Sequence, residues 1–255
     1  MNIAEFYPRK SLGQNFLIDD NIKVKIIQAC NVSSEEFVLE IGPGKGALTQ
    51  ELVKLAKGVV AVEKDVRLFQ MLCQTLGGYL NLSLVNQDIL TYRISQSNTK
   101  VIGNIPYNIS SPLIEHLLMQ KDKISVIYLT LQKELAERII AKPRTKAYSS
   151  FSIFVQYHSV PTIKFIIKRG SFRPRPKVDS AFVEFVIRKT PAVTVKDEEF
   201  FFKIVRAAFG QRRKMISNTL KGLVDQEKIC QTGISPSIRP EDLSLDDFGR
   251  LANSS

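Results

Sequence analysis

Apolar runs and helix-spaced apolar positions alternate through the first three-quarters of the chain. FVLEI (37–41), GVVAVE (58–63), LSLVNQD (82–88), KVIGNI (100–105) and ISVIYLTL (124–131) are rich in Val and Ile, are bounded by turn residues, and predict strands. Between them ALTQELVKLA (47–56), VRLFQMLCQTL (66–76), SPLIEHLLMQ (111–120) and KELAERIIA (133–141) repeat apolar residues at helical spacing, as Leu113, Ile114, Leu117 and Leu118 do. Such alternation predicts an α/β fold: a Rossmann-like, largely parallel sheet covered on both faces by helices.

Two more strand patterns, TIKFIIKR (162–169) and SAFVEFVIR (180–188), flank a proline-rich turn and predict a hairpin at the sheet edge. After Thr190 and Pro191 the period changes to helical. Phe201, Ile204, Val205 and Ala208 share one face of a helix that should break near Gly210, and a short helix ending in Ile229 and Cys230 and a tail LSLDDFGRLA (243–252) follow. The chain therefore reads as an α/β domain over residues 1–190 and a small helical domain over 191–255.

Composition narrows the class. With 44% hydrophobic residues, 255 residues can bury a sizeable core. There is no run of eighteen apolar residues and no apolar export segment in MNIAEFYPRK, so a cytoplasmic protein without membrane contact is expected. Cys30, Cys73 and Cys230 form no CxxC pair; neither disulfides nor a metal site is indicated, and buried thiols are the simplest reading. Charge says more. Thirty-six Lys and Arg against 25 Asp and Glu give a net charge of +11, gathered in three clusters: Lys142, Arg144 and Lys146; Lys168, Arg169, Arg173, Arg175 and Lys177; and Arg206, Arg212, Arg213, Lys214 and Lys221. Clusters of this kind suit a phosphate backbone, from which each contact releases condensed counterions. The alternative for Arg206, Arg212 and Arg213 is a solvated helix face.

EIGPGKGALT (40–49) follows the first strand and opens a helix, which puts Gly42, Gly44 and Gly46 at a turn where backbone can approach a ligand. Glu63 ends the next strand, where nucleotide-binding sheets hold ribose hydroxyls, and Asp88 follows the third, where a carboxylate can accept from an adenine amine. A nicotinamide dinucleotide and S-adenosylmethionine compete for such a site. The spacing is GxGxG rather than GxGxxG, and Glu40 puts negative charge where a pyrophosphate is repelled but a sulfonium and an ammonium are attracted; both features favour S-adenosylmethionine. Glu40 can alternatively hydrogen-bond amides of the loop.

The fourth strand delivers Asn104, Ile105, Pro106 and Tyr107 to the same edge. An amine on an aromatic ring is a poor nucleophile because its lone pair is delocalised. Two acceptors aimed at its protons draw the nitrogen toward tetrahedral geometry, and the Asn104 amide oxygen and the carbonyl of Ile105 or Pro106 can serve. Proline fixes the backbone there, and Tyr107 offers a ring for stacking. These residues suit methylation of an exocyclic base amine.

SLGQNFL (11–17), EIGPGKGALT, EKD (63–65), NQD (86–88), GNIPYNIS (103–110) and SFRPRPKVDSAF (171–182) together closely resemble the ribosomal RNA adenine N6-dimethyltransferases, and FGQRRK (209–214) resembles the bacterial small-subunit branch. The resemblance implies that an N-terminal segment with Asn15 and Leu17 closes over S-adenosylmethionine, that Gly42, Gly44, Glu63, Asp88 and Asn104 bind it, and that Asn104 and Tyr107 hold the target adenine while Phe172 stacks on its other face. Phe172 precedes Arg-Pro-Arg-Pro and is expected to lie unburied. Ile105 replaces a leucine common in the family and keeps the carbonyl. Arg173, Arg175, Arg206, Arg212, Arg213 and Lys214 are the expected RNA contacts. The implied activity is dimethylation of N6 on two adjacent adenosines in small-subunit RNA within a pre-ribosomal particle, by a monomer. The alternatives are a large-subunit RNA methyltransferase conferring drug resistance and an RNA-binding assembly factor whose catalysis is dispensable.

Overall fold

The computed structural model describes residues 13–211 and 213–254. The chain forms two compact units, one of residues up to Ala136 plus Thr162–Ile187, the other of Glu137–Pro161 plus the chain from Arg188 onward.

In the first unit β1 (Phe16–Leu17) and α1 (Asp20–Cys30) precede the strands β2 (Phe37–Ile41), β3 (Gly58–Glu63), β4 (Leu82–Asn86), β5 (Thr99–Asn104) and β6 (Ile124–Gln132). Helices α2 (Thr49–Leu55), α3 (Val66–Leu76) and α4 (Ser110–Leu118) connect them, and α5 (Lys133–Ile139) follows β6. After α6 (Ser150–His158) of the second unit come β7 (Ser159–Ile167), β8 (Phe172–Arg173) and β9 (Ser180–Ile187). The seven-stranded sheet runs β4-β3-β2-β5-β6-β9-β7, and β1 pairs separately with β8. Strands β2 to β6 pair in parallel and β9 runs antiparallel to β6, so the expected edge hairpin is present as the neighbours β9 and β7. The central strands bury Val38, Leu39, Ile41, Ala61, Val62, Val101 and Ile102, because helices cover both faces. Each of these Val, Leu and Ile side chains contributes roughly 1.5–3 kcal/mol of burial.

Two features escaped the apolar pattern. Helix α1 starts at the Asp19 cap, whose side chain accepts from the Ile22 N–H, and ends at Asn31 with φ +43. Its last carbonyls, which a helix leaves without partners, are taken by a buried lysine: Lys100 Nζ donates to Cys30 O at 2.8 Å and Asn31 O at 2.9 Å and pairs with Glu36 at 2.9 Å. The Cys30 thiol is pushed up to about 12 by burial, an inert core group. Cys73 and Cys230, expected to be buried, are exposed.

The second unit contains α6, α7 (Glu198–Gly210), α8 (Ile216–Thr219), α9 (Gln226–Gln231) and α10 (Leu245–Asn253). Phe201, Ile204, Val205 and Ala208 are all buried, as the helical period requires, and α7 ends at Gly210. A division at residue 190 leaves out Glu137–Pro161, which belongs with this unit. Tyr157 stacks on Phe201 at 5.0 Å and Tyr148 meets Phe209 edge-on at 5.8 Å, so α6 and its preceding turn complete a core that the C-terminal segment cannot close by itself. Among the described residues, no helix is long and apolar enough to cross a membrane, and no group of His, Cys, Asp and Glu is placed to hold a metal ion.

Candidate active site

Because β2, β3, β4 and β5 are parallel, their carboxyl ends lie along one edge, the ligand edge of open α/β sheets. At the end of β2, Gly42, Gly44 and Gly46 adopt φ of +64, +60 and +81, values that side-chain-bearing residues rarely take. A β-carbon on Gly42 would lie 3.8 Å from the Asn104 carbonyl oxygen, so the glycine turn and the end of β5 adjoin. One on Gly44 would press on the Phe16 ring at 3.2 Å.

Glu63 is buried and holds the turn in place: its Oε2 accepts from Gly44 N–H at 3.1 Å and its Oε1 from Asp65 N–H at 2.8 Å. Burial raises its pKa, and the two backbone N–H groups oppose that. Each oxygen keeps a lone pair for a ribose hydroxyl. Asp88 caps the turn after β4 through Leu90 N–H at 3.0 Å and pairs with Lys64 at 2.6 Å, a bond that lowers its pKa. Glu40 is 2% exposed, and burial, reinforced by the Glu63 charge, pushes its carboxyl up to about 7. Its Oε2 has no hydrogen-bond partner among the described residues. The loop amide of Gly44 goes to Glu63 rather than to Glu40. An orphaned buried carboxyl oxygen beside a turn that only glycines can line fits a cofactor carrying a cationic group close to the backbone.

Residues 13–17 form a strap across this edge. Gly13 has φ +62, and a β-carbon there would meet Asn108 Oδ1 at 2.9 Å and Pro106 Cβ at 3.4 Å. Gln14 Nε2 donates to Asp65 Oδ2 at 3.2 Å, Leu17 pairs with Phe172, and Asn104 Nδ2 donates to Asn15 O at 3.3 Å. That last bond fixes the amide: with its nitrogen committed to the strap, Asn104 presents Oδ1 as an acceptor, which is what methylation of an amine needs. Half-buried Tyr107 is held by its hydroxyl, 2.6 Å from Ser180 Oγ. The Pro106 carbonyl already accepts from Ile109 N–H at 3.3 Å, and Ile105 is buried.

The match to the family model for ribosomal RNA adenine dimethylases runs over residues 6–255. The chain belongs to that family. Curated relatives named ribosomal RNA small subunit methyltransferase A include those of Streptococcus pneumoniae (strain P1031), 42% identical over 96% of this chain and 91% of the relative, and Bacillus pumilus, 40% identical over 96% and 90%. Among solved structures, a dimethyladenosine transferase from Plasmodium falciparum superposes with a TM-score of 0.80 at 28% identity over 92% of this chain and 95% of that one, and the 23S rRNA methyltransferase ErmE with 0.76 at 26% over 94% and 98%. This dimethylase is thus a Rossmann-like, S-adenosylmethionine-dependent rRNA methyltransferase, as its motifs imply.

The dimethylase brings Asn15, Gly42, Gly44, Glu63 and Asn104 into one connected set through the contacts above. Phe172 departs from expectation: it is 2% exposed and packed in the core with Leu17, Ile167 and Phe182. The β1–β8 pairing covers it, so the charged residues that follow do not keep it at the surface. Arg173, Arg175, Arg206, Arg213 and Lys214 are exposed; Arg212 lies outside the described residues. The motif reading missed the supporting roles of Gly13, Lys64, Asp65 and Ser180. All four stood in stretches already singled out, Gly13 in SLGQNFL, Lys64 and Asp65 in EKD and Ser180 in SFRPRPKVDSAF, but they act through contacts that spacing does not reveal.

Proposed function

We propose that this chain transfers methyl groups from S-adenosylmethionine to N6 of two adjacent adenosines in a hairpin loop near the 3′ end of small-subunit (16S) rRNA, two to each base, as a monomer acting in the cytoplasm on a maturing particle. The observation that carries this reading is the meeting of the glycine turn with Asn104, 3.8 Å from the Gly42 β-carbon position, with the Asn104 amide already oriented by Asn15. The names of the relatives at 40–42% identity supply the subunit.

S-adenosylmethionine supplies an electrophilic methyl on a sulfonium. The rest falls to this chain. Glu40, Gly42 and Gly44 hold the amino-acid end, Glu63 the ribose, and Asp88 the adenine, with Asn15 and Leu17 covering them. An unpaired loop adenine is unstacked at modest cost and rests on Tyr107. Its amine donates to Asn104 Oδ1 and to the Ile105 carbonyl, the Pro106 carbonyl being engaged by Ile109. Methyl transfer requires no prior base, because the proton leaves after the nitrogen has become cationic; alignment and fixed acceptors provide the acceleration. Arg173, Arg175, Arg206, Arg212, Arg213 and Lys214 hold RNA phosphates.

The test uses purified protein, labelled donor and immature small subunits. N6,N6-dimethyladenosine should appear with the wild-type protein and be nearly abolished by Asn104→Ala. Full activity in that variant removes the acceptor role, and methylation of naked large-subunit RNA alone replaces the small-subunit assignment.

A further inference from the structure

The strap is gripped on both sides of Asn15. Before it, Gln14 Nε2 donates to Asp65 Oδ2 at 3.2 Å. After it, the Phe16 ring packs on Leu68, Met71, Leu72 and Leu76, all on α3, and lies against Gly44, where a β-carbon would stand 3.2 Å away. Asp65 is the N-cap of the same helix, its Oδ1 accepting from Arg67 N–H at 3.1 Å. Residues 14 and 16 therefore both seat on α3 and its cap, and that helix sets the position of the backbone between them. The Asn15 carbonyl lies in that interval and accepts from Asn104 Nδ2 at 3.3 Å.

Asp65 is more than its helix needs. A cap takes one acceptor oxygen, which Ser, Thr or Asn supplies without a charge. Here a carboxylate, 2% exposed, stands in that place, and a buried charge is costly unless it is paired and hydrogen-bonded. Arg67 meets that requirement with two bonds, Nε to Oδ1 at 3.1 Å and Nη2 to Oδ2 at 2.7 Å, and holds the carboxyl down to about 2, so it stays ionised. The ionised Oδ2 is thereby a strong acceptor for Gln14. The main chain of the same residue serves the cofactor side, its N–H donating to Glu63 Oε1 at 2.8 Å. One residue thus touches Glu63 through its backbone and the strap through its side chain.

We propose that Asp65 is a positioning residue for methyl transfer, which through Gln14 sets the Asn15 carbonyl and hence the orientation of the Asn104 amide. The inference rests on the reading of Asn104 Oδ1 as an acceptor for the target amine. Without the Gln14–Asp65 bond, Asn15 moves with its neighbour and Asn104 Nδ2 loses its fixed partner. The amide can then turn its nitrogen toward the amine, where two donors face each other and the acceptor is lost. Helix capping by itself predicts none of this, because the cap uses Oδ1 and the strap uses Oδ2.

The experiment combines calorimetry of S-adenosylmethionine binding with rapid-quench methyl transfer to immature small subunits at saturating cofactor, both on the full chain. Gln14→Leu removes the donor, and Asp65→Asn keeps a cap oxygen but turns an N–H toward the Gln14 donor. Each should raise Kd and slow the single-turnover rate by about tenfold, the effect of losing one hydrogen bond to a charged group. Gln14 lies on the strap rather than in the core, so its variant keeps the test open where Asp65→Asn loosens α3. The double variant Gln14→Glu with Asp65→Asn restores a donor and an acceptor with their roles exchanged. It should recover most of both losses, a rescue that a merely structural residue does not give. An unchanged rate in Gln14→Leu, a double variant no better than Asp65→Asn, or a raised Kd with an unchanged rate at saturating cofactor would each overturn the proposal. Wild-type transfer is measured in parallel. Where it is present and Gln14→Leu matches it, this inference fails alone; where it is absent, the functional reading fails and the positioning role with it.

Discussion

Replacing Gly13 by alanine tests whether the strap over the active site sets the rate. The position has φ +62, where a residue with a β-carbon costs about 1–2 kcal/mol. The new methyl would stand 2.9 Å from Asn108 Oδ1, on an exposed side chain that can turn away, and 3.4 Å from the less yielding Pro106 ring. The cost is therefore chiefly backbone strain. It can be relieved by displacing the strap, and the bond that then suffers is Asn104 Nδ2 to Asn15 O, already 3.3 Å long. At 1.36 kcal/mol per factor of ten, single-turnover methyl transfer should fall roughly 5- to 30-fold. The melting temperature should move by only a few degrees, because the strap is peripheral to the sheet. Gly13→Asn should lose less, since asparagine tolerates the left-handed region. Rapid-quench assays with labelled donor read both variants. Wild-type rates in Gly13→Ala would refute the orienting role of Asn15.

Three other expectations follow from the same geometry. Glu40 has its folded pKa, about 7, above the 4.5 of the unfolded chain, so the ligand-free protein should lose stability as pH rises from 4.5 to 7, by on the order of 3 kcal/mol at most; Glu40→Gln should flatten that pH dependence in thermal melts and weaken S-adenosylmethionine binding in calorimetry. Lys100→Met leaves two helix-end carbonyls and Glu36 without their amine, which should cost roughly 2–3 kcal/mol in urea unfolding with the cofactor site unchanged. Tyr107→Phe loses only the Ser180 bond and should retain most methyl transfer, whereas Tyr107→Ala removes the ring and should lose at least tenfold, a comparison that steady-state kinetics with small subunits can make.

The parallel core was legible because strands buried on both faces must be almost wholly apolar, and 37–41, 58–63 and 124–131 are. The motif residues were legible for a related reason: each ends a strand, so alternation alone put them on one edge. Helix α6 was not, since SFSIFVQYH is only nine residues long and rich in aromatic and β-branched residues, a short run whose composition suits a strand as well as a helix. Phe172 was misread because its local context is charged while its burial comes from β1, a segment 155 positions earlier that pairs Leu17 with it. Long-range pairing also conceals the Asn15–Asn104 bond, which no spacing rule encodes.

The path of the chain through its two units bears on how such proteins can be recombined. Polypeptide leaves the sheet unit at Ala136, comes back at Thr162 and departs again at Ile187, so the helical unit is sewn in at three junctions rather than appended at one. A truncation at residue 187 would strip Tyr148 and Tyr157 of Phe209 and Phe201 and leave sticky aromatic surface behind. A chimera that borrows the helical part of another homologue must graft both of its segments at once, and single-crossover hybrids should yield insoluble protein.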